Sequence, residues 1–402
     1  MQNVHPFTLQ VPQTALDDLH QRLDNTRWPH QLPDDDWSRG VPAGYLKKLS
    51  AYWRHSFDWR KQEADLNRFP QFITQIDGQD IHFIHVRSTT LDAQPLLLCH
   101  GYPGSVVDFI KVIEPLTNPA ASEPAFHVVA ISLPGLGLSP AVTEVGWNLM
   151  RTTHAFRALM SQLGYERYGV QAGDAGAGIA SLLGVMYPDR IIGIHLNGPE
   201  PFPEPTAEEL DILARANDLS TTDQTRLERM NTFTREGTGY QAIQSTRPYT
   251  IGYGLHDSPV MQLAWIVEKY KEWTDPQKVL PEDAIDIDQM LTNVSLYWFM
   301  GNGAGAANFI YENMYPAPAA ANQDWSAGDD GSSSWTAAES ERQVIPMGVA
   351  VFAADNTIRR LVDRDGSMPH WSEFDKGGHF AAMEAPNEYV SDVRVFFGQL
   401  NH

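Results

Sequence analysis

Short apolar segments alternate with amphipathic segments through the first half of the chain. The apolar segments have the length of buried strands, and the amphipathic segments carry apolar residues three and four positions apart. The predicted strands are 81–87, 95–100, 126–134, 168–172 and 190–197. The predicted helices between them are 106–116, 152–164 and 174–186. Strands that alternate with helices predict a parallel sheet with helices on both faces.

The pattern is helical on both sides of this region. Amphipathic helices are predicted at 15–29 and 43–57, before the first strand. After residue 205 the pattern is mostly helical, and a strand pattern returns at 346–355 before a final helix at 387–400. A helical block inserted late in such a sheet is expected to cover the carboxyl edge of the strands, where these folds bind ligands.

Residues 316–342 interrupt this pattern with small, acidic and polar side chains. Such a composition has little drive to pack against a core. The segment is therefore expected to be a surface loop or a mobile flap.

Composition narrows the classes of partner. The formal net charge of −21 argues against nucleic acid and against anionic membrane surfaces. The single cysteine, Cys99, cannot form an internal disulfide, which fits a reducing compartment and predicts a cytoplasmic location. No signal peptide and no apolar run of about 18 residues can be found, so no membrane span is expected.

A tight turn carries the candidate chemistry. The segment YGVQAGDAGAGIASLLGVM, from Tyr168 to Met186, predicts a strand, a turn of small residues and a helix, with Asp174 at the apex. This arrangement is typical of a nucleophile elbow, in which small neighbours avoid clashes at the turn. Because a carboxylate is already ionised at neutral pH, Asp174 needs no base to attack an sp³ carbon and form an ester.

Hydrolysis of that ester requires further groups. A base must activate water, and the oxyanion formed on the former carboxylate needs donors. The backbone N–H groups of Ala175 and of Tyr102, in the loop HGYPGS, are the candidate donors. His379, on the glycine-rich turn FDKGGHF, is the candidate base.

A carboxylate is expected to orient this histidine. Asp355, which follows the strand GVAVFAAD, has the position in the chain that this role requires. Asp363 and Asp365 lie nearby in the sequence and remain alternatives.

Other interpretations of these residues are weaker. Asp174 could be an ordinary helix N-cap, but this would not explain its small neighbours. The glycines of GDAGAG do not have the spacing of a dinucleotide fingerprint. His379 and Glu384 lack a second histidine at helical spacing, so no metal site is expected, and the chemistry requires no cofactor.

Several motifs, in order, resemble those of a known family. HGYPGSVVDF, ISLPGLGLSP, QAGDAGA and GGHFAAMEAP are similar to motifs of the microsomal-type epoxide hydrolases of the α/β-hydrolase superfamily. The segment GVPAGYLKKLSAYWRHSFDWRKQEADLNRFPQF resembles the N-terminal region of the same family. The resemblance covers nearly the whole chain.

This resemblance implies a fold and a division of the chain. The fold would be an α/β-hydrolase fold, a mostly parallel sheet flanked by helices, with a helical cap inserted late and an N-terminal wrapping segment. The implied parts are the wrapping segment at 1–75, the first part of the core at 76–205, the cap with its flexible acidic loop at 206–342, and the second part of the core at 343–402.

The resemblance also implies a reaction. A carboxylate, here Asp174, opens a small-molecule epoxide, and water activated by His379 hydrolyses the ester to a vicinal diol. Cap tyrosines of the family hydrogen-bond the epoxide oxygen, and Tyr240 matches one of them. A phenol can donate a proton to the oxygen as negative charge develops. The oligomeric state, including a homodimer, is left open.

The chain departs from the family at two positions. The family usually has Trp after the nucleophile, where this chain has Ala175. The second cap tyrosine falls on Ile310, with Tyr311 next to it, about 100° away around a helix. Tyr311 after a local shift, another cap residue, or Tyr240 alone could therefore supply the proton.

Two other functions remain open from the sequence. A haloalkane or haloacid dehalogenase could use the same aspartyl ester, but Ala175 removes the Trp N–H that commonly binds the halide. A non-catalytic binding protein could keep the fold and the pocket, although the set of Asp174, Asp355 and His379 argues against it.

Overall fold

A computed structural model describes residues 4–32, 36–120, 123–200, 206–216, 218–314 and 345–400. These residues form one nine-stranded sheet with helices on both faces. The loop predicted at 316–342 lies outside the described residues. In the described part of the chain, no helix combines the length and the apolar character needed to cross a bilayer.

The sheet is parallel in its larger part. Its strands are β1 (Val4–Phe7), β2 (Gln71–Ile76), β3 (Gln79–Val86), β4 (Gln94–Cys99), β5 (Phe126–Ile131), β6 (Tyr168–Gly173), β7 (Ile191–Asn197), β8 (Met347–Val351) and β9 (His370–Glu373). Their spatial order is β1-β2-β3-β5-β4-β6-β7-β8-β9. The strands from β5 to β9 in this order pair in parallel, while β1, β2 and β3 pair antiparallel.

Helices before, between and after the strands complete the fold. They are α1 (Gln13–Asp24), α2 (Ala43–His55), α3 (Trp59–Asn67), α4 (Ile113–Thr117), α5 (Leu149–Gln162), α6 (Ala175–Met186), α7 (Ala207–Ala214), α8 (Thr221–Thr232), α9 (Gly239–Thr246), α10 (Pro248–Asp257), α11 (Pro259–Trp273), α12 (Pro281–Ala284), α13 (Ile287–Met300), α14 (Asn302–Met314), α15 (Arg359–Val362), α16 (Ala381–Glu384) and α17 (Pro386–Gln399). Helices α7 to α14 lie between β7 and β8, where the sequence predicts the helical insertion.

Central strand β4 shows how the sheet separates two cores. Leu97 and Cys99 belong to the buried cluster on one face, and Leu96 and Leu98 belong to the cluster on the other. This alternation follows from the two-residue period of a strand. A strand buried on both faces is therefore apolar throughout, which is why PLLLC predicts it correctly.

The helix predicted at 106–116 is not continuous. The chain instead forms a short 3₁₀ turn at Val106–Phe109 and then begins α4 at Ile113. Pro115 explains the break, because inside a continuous helix it would lose a hydrogen bond and clash with the carbonyl of Lys111. In the observed arrangement Pro115 lies in the first turn of α4, where its missing N–H is not needed.

The N-terminal helices attach to the second half of the chain. Helices α1 and α2 pack on α11, and α3 packs on α13. The indole Nε1 of Trp53 donates to Ser295 Oγ at 2.9 Å in the buried contact between α2 and α13. Tyr52 adds a hydrogen bond from its hydroxyl to Asp288 at 2.9 Å.

The inserted helices are anchored to loops of the sheet. The side chain of Asn302, at the start of α14, donates to the carbonyl of Gly137 at 2.6 Å. Near the other end of α14, Asn313 accepts a hydrogen bond from the N–H of Leu149 at 2.7 Å. Helix α14 therefore holds the insertion against the loop that follows β5 and against the start of α5.

Candidate active site

Asp174 occupies a strained turn between β6 and α6. Its backbone has φ +52° and ψ −131°, a conformation that non-glycine residues rarely adopt. A Cβ on Gly176 would lie 2.4 Å from the carbonyl oxygen of Cys99, and a Cβ on Gly101 would lie 2.2 Å from Asp174 Oδ1. These contacts are the physical reason for small residues around the nucleophile, as the sequence predicts.

The two oxygens of Asp174 have different surroundings. Oδ1 accepts hydrogen bonds from the N–H of Ala175 at 2.6 Å and of Tyr102 at 2.9 Å. Oδ2 lies 3.8 Å from Nε2 of His379. The structure thus brings together the predicted nucleophile, both predicted backbone donors and the predicted base, and it leaves Oδ2 available for attack.

His379 is held by the end of α11. Its backbone N–H donates to the carbonyl of Trp273 at 2.9 Å, and its ring centroid lies 5.0 Å from the ring of Trp273. A Cβ at Gly378 would come within 2.4 Å of the same carbonyl. The glycine before the histidine therefore allows the loop to approach α11 closely.

Asp355 lies in the turn after β8, close enough to His379 for their charges to attract. Its carboxylate accepts the N–H of Phe352 at 2.7 Å, and burial raises its pKa to about 6. Among the hydrogen bonds of the described residues, none joins Asp355 to His379. Catalytic hydrogen bonds are often long in ligand-free proteins, so this geometry leaves the predicted orienting role in place.

The alternative carboxylates have other partners. Asp363 is buried and forms an ion pair with Arg359 at 3.0 Å. Asp365 accepts hydrogen bonds from Ser367 within an exposed turn. Asp355 is therefore the better candidate to orient His379.

Tyr240, on α9, lies near enough to Asp174 to be affected by its charge. Its ring stacks on that of Tyr102 with centroids 5.8 Å apart, and the ring of Trp273 meets it edge-on at 5.6 Å. Burial, together with the charge of Asp174, raises the pKa of Tyr240 well above its usual value. The phenol therefore stays protonated at neutral pH and can donate a hydrogen bond.

Comparisons with known proteins agree with this geometry. The family described as "Epoxide hydrolase N terminus" matches residues 4–109, and "alpha/beta hydrolase fold" matches residues 94–237. A putative epoxide hydrolase of Stigmatella aurantiaca is 43% identical over 99% of this chain and 85% of its own length. The chain belongs to the epoxide hydrolase family.

More distant relatives and a solved structure of this family are also similar. Epoxide hydrolase 1 of Sus scrofa is 32% identical over 99% of this chain and 89% of its own length. The structure of Aspergillus niger epoxide hydrolase has a TM-score of 0.80 and 30% identity, and the match covers 100% of this chain and 97% of that one. The predicted family and the predicted α/β-hydrolase fold are thus both confirmed.

The second proton donor of this epoxide hydrolase remains a prediction. Ile310 packs against the main core cluster, whereas the side chain of Tyr311 is 37% exposed. The two neighbours on α14 therefore face different surroundings, as expected for adjacent positions on a helix. Tyr240 contacts Trp273 and lies near enough to Asp174 for that charge to raise its pKa, so it remains the predicted donor.

Other titratable groups of the epoxide hydrolase have structural partners. Glu384 accepts the N–H groups of Asp275 and Phe380, at 2.8 and 3.1 Å, and burial raises its pKa to about 8. His100 accepts the N–H of Leu133 at 3.1 Å, and burial lowers its pKa to about 4. Both oxygens of Glu384 therefore already accept hydrogen bonds, and they stabilise the loop that carries His379. His100 stabilises the loop before Tyr102.

One buried cluster has the composition of a metal site. Among the described residues, Asp392 on α17 accepts from His195 on β7 at 2.8 Å and lies 3.0 Å from Nε2 of His370 on β9. Hydrogen bonds to the two rings lower the pKa of Asp392 despite its burial. These bonds already account for the ring nitrogens that face the carboxylate, and they tie the last helix to the sheet.

The sequence did not single out Lys269, which contacts the candidate site. Its side chain is buried, forms ion pairs with Glu268 and Glu272 at 2.8 and 2.7 Å, and places Nζ 4.8 Å from the ring centre of Tyr240. Lys269 lies three residues after Ile266 on the apolar face of α11. A charged residue within such a face is the signal that could have identified it.

Proposed function

We propose that this protein converts an uncharged epoxide to a vicinal diol through a covalent ester on Asp174. The observation that supports this most directly is the asymmetry of the Asp174 carboxylate. Two N–H groups bind Oδ1, and Oδ2 lies free beside His379. This asymmetry assigns one oxygen to attack and the other to charge stabilisation.

In the first step, Oδ2 of Asp174 attacks an epoxide carbon. A bond forms between Oδ2 and that carbon, and the carbon–oxygen bond of the ring breaks. Tyr240 donates its phenolic proton to the leaving oxygen. Lys269 lies near the ring of Tyr240 and stabilises the negative charge that the phenolate then carries.

In the second step, His379 takes a proton from a water molecule that attacks Cγ of Asp174. Negative charge develops on Oδ1, where the N–H groups of Tyr102 and Ala175 stabilise it. The bond between Cγ and Oδ2 then breaks, and the product leaves with Oδ2 in one of its hydroxyls. Asp355 stabilises the charged ring of His379, in the manner of the third residue of a triad.

The route of the oxygen atoms tests this proposal. In single-turnover hydrolysis in oxygen-18 water, we expect the label in the peptide that contains Asp174 and not in the diol. Asp174→Ala should abolish turnover, and His379→Gln should accumulate an adduct on the same peptide when incubated with an epoxide. A labelled diol with an unlabelled peptide would contradict the covalent route.

The substrate class follows from the charge and from the walls of the site. The net charge of −21 disfavours anionic epoxides, and the rings of Tyr102, Tyr240 and Trp273 offer apolar surface. A panel of styrene oxide, terpene oxides and long-chain epoxides, scored by diol formation, would identify the preferred shape. Halide release from haloalkanes would instead support the dehalogenase alternative.

A further inference from the structure

A small cavity adjoins the nucleophile, with Asp174 and His379 both in its wall. Its volume is about 40 Å³, and Gln171, Asn197 and Tyr389 also line it. Since one buried water needs roughly 10–15 Å³, the cavity has room for a few water molecules and not for an organic substrate. Tyr240, the proposed acid, is not part of this wall.

Two residues that line the cavity each carry a buried polar atom with no protein partner among the described residues. These atoms are Nε2 of Gln171, a donor, and Oδ1 of Asn197, an acceptor. Gln171 is 1% exposed, and its Oε1 already accepts the hydroxyl hydrogen of Tyr389. A buried polar group without a partner destabilises the fold, and a water molecule in the cavity would supply the missing hydrogen bonds.

We propose that Gln171 and Asn197 are positioning residues that hold the hydrolytic water of the second step. This inference rests on the function proposed above. The water would accept the Nε2–H of Gln171 and donate one hydrogen to Asn197 Oδ1 and the other to His379 Nε2. Its remaining lone pair is then free to attack Cγ of Asp174.

The step balances with these partners. The water oxygen forms a bond to Cγ as its proton passes to His379, and the bond between Cγ and Oδ2 breaks. The histidine then returns the proton to the departing diol oxygen, and the second proton of the water passes from the new carboxyl group of Asp174 to the phenolate of Tyr240, which restores both groups. Neither amide gains or loses a proton, so both act through the orientation of the water alone.

The test separates the two half-reactions. Gln171→Leu should slow ester hydrolysis roughly 10- to 100-fold in single-turnover experiments and leave ring opening within about twofold. The values of kcat and KM should fall together, and the ester on Asp174 should accumulate at steady state in acid-quenched mass spectra. Asn197→Ala should show the same split, which keeps the test usable if one variant folds poorly.

Gln71→Leu is the matched control. Gln71 is a buried glutamine of the same sheet, 3% exposed, on β2, and three strands lie between β2 and β6. It should alter stability without changing the ratio of the two half-reactions. Equal slowing of both steps in Gln171→Leu, or unchanged hydrolysis in both cavity variants, would overturn this assignment.

The two proposals fail in different ways. If no ester forms on Asp174 in the wild type or in His379→Gln, the proposed function is wrong. If the ester forms and the cavity variants hydrolyse it at the normal rate, only the role of Gln171 and Asn197 is wrong.

Discussion

At the scale of single residues, the two carboxylate oxygens of Asp174 are chemically equivalent but have different neighbours. The N–H groups of Tyr102 and Ala175 bind Oδ1 of Asp174, so the carboxylate cannot rotate freely. Such a fixed carboxylate needs little reorganisation when charge develops during the reaction. The raised pKa of Tyr240 keeps its phenol protonated, so that it can donate a proton when the Asp174 carboxylate attacks the epoxide.

Tyr240→Phe tests whether Tyr240 is the proton donor. Removal of the proton donor should slow ring opening by roughly 10²-fold and affect ester hydrolysis much less, because only the first step expels the epoxide oxygen. Stopped-flow fluorescence, with Trp273 as the reporter beside His379, can separate the two steps. Tyr249→Phe is the control, since Tyr249 is 70% exposed on α10. Equal slowing of both steps would argue against Tyr240 as the acid.

The sequence predicted residues of the site whose roles depend on chain order and local turns. Asp174 and His379 lie in turns with distinctive small residues, and the structure places Oδ2 of Asp174 3.8 Å from Nε2 of His379. Lys269 and Gln171 lie inside a regular helix and a regular strand, where a single polar residue carries no local turn signal. Their contacts with Tyr240 and with the cavity arise from tertiary packing, which the pattern along the chain does not encode.

At the scale of elements, close contact between α6 and β4 sets the position of the nucleophile. Gly176 lies in the first turn of α6, directly against the backbone of Cys99 at the end of β4. The helix can approach the strand only because this position has no side chain. The orientation of Asp174 therefore depends on a backbone contact two residues away.

Gly176→Ala should be destabilising by about 1–3 kcal/mol and should reduce the rate of ester formation, because the new Cβ would meet the carbonyl of Cys99 at 2.4 Å. Gly184→Ala, on the same helix, is the matched control. Its Cβ would meet the far end of the Ile194 side chain at 2.8 Å and Cγ1 of Ile345 at an ordinary contact distance of 3.9 Å, and alanine favours helix. Urea unfolding of both variants is the measurement, and equal stabilities would contradict this account.

We expect the N-terminal helices to stabilise the inserted helices through Trp53. Trp53→Ala should cost about 3–5 kcal/mol, because it removes a ring that is 1% exposed between α2 and α13. Ser295→Ala removes only the hydrogen-bond acceptor and should cost about 1 kcal/mol. Thermal unfolding can compare them. A small loss in Trp53→Ala would indicate that the contact adds little to stability.

The strands missed by the sequence pattern are β1, β2 and β9, towards the two edges of the sheet. Strand β1 contains Pro6, which is tolerated at an edge, and β9 has only four residues. Edge strands are partly exposed, so they lack the continuous apolar run that identified β4. Buried central strands and long amphipathic helices were predictable because burial dictates their composition.

At the scale of the whole molecule, buried titratable groups of two kinds set the pH dependence of stability. Burial raises the pKa of Asp355 to about 6, of Asp108 to about 7 and of Glu384 to about 8. Each of these carboxyls binds protons more tightly when folded than when unfolded. Their contribution to stability therefore falls as the pH rises from their ordinary values near 4 towards these raised values.

Buried histidines act in the opposite direction. Burial lowers the pKa of His82 to about 3, and of His85 and His100 to about 4, from an ordinary value of 6.5. The unfolded chain binds protons at these positions more tightly, so their contribution to stability falls as the pH drops below 6.5. The histidines therefore lower the stability at acidic pH, and the carboxyls lower it at alkaline pH. Stability is highest in the pH range between these two effects.

We therefore expect the free energy of unfolding to be highest between about pH 5 and 7 and to fall towards pH 8. Glu384→Gln isolates the alkaline side, because glutamine cannot ionise. It keeps an acceptor for only one of the N–H groups of Asp275 and Phe380, a loss that lowers stability by the same amount at every pH and so leaves the slope unchanged. The stability of this variant relative to wild type should rise with pH between 5 and 8, at a slope approaching about 1.4 kcal/mol per pH unit. Urea unfolding at pH 5, 6, 7 and 8 measures the slope. Parallel curves for the two proteins would mean that folding leaves the pKa of Glu384 unchanged, and that the loop carrying His379 is more hydrated than its packing against α11 implies.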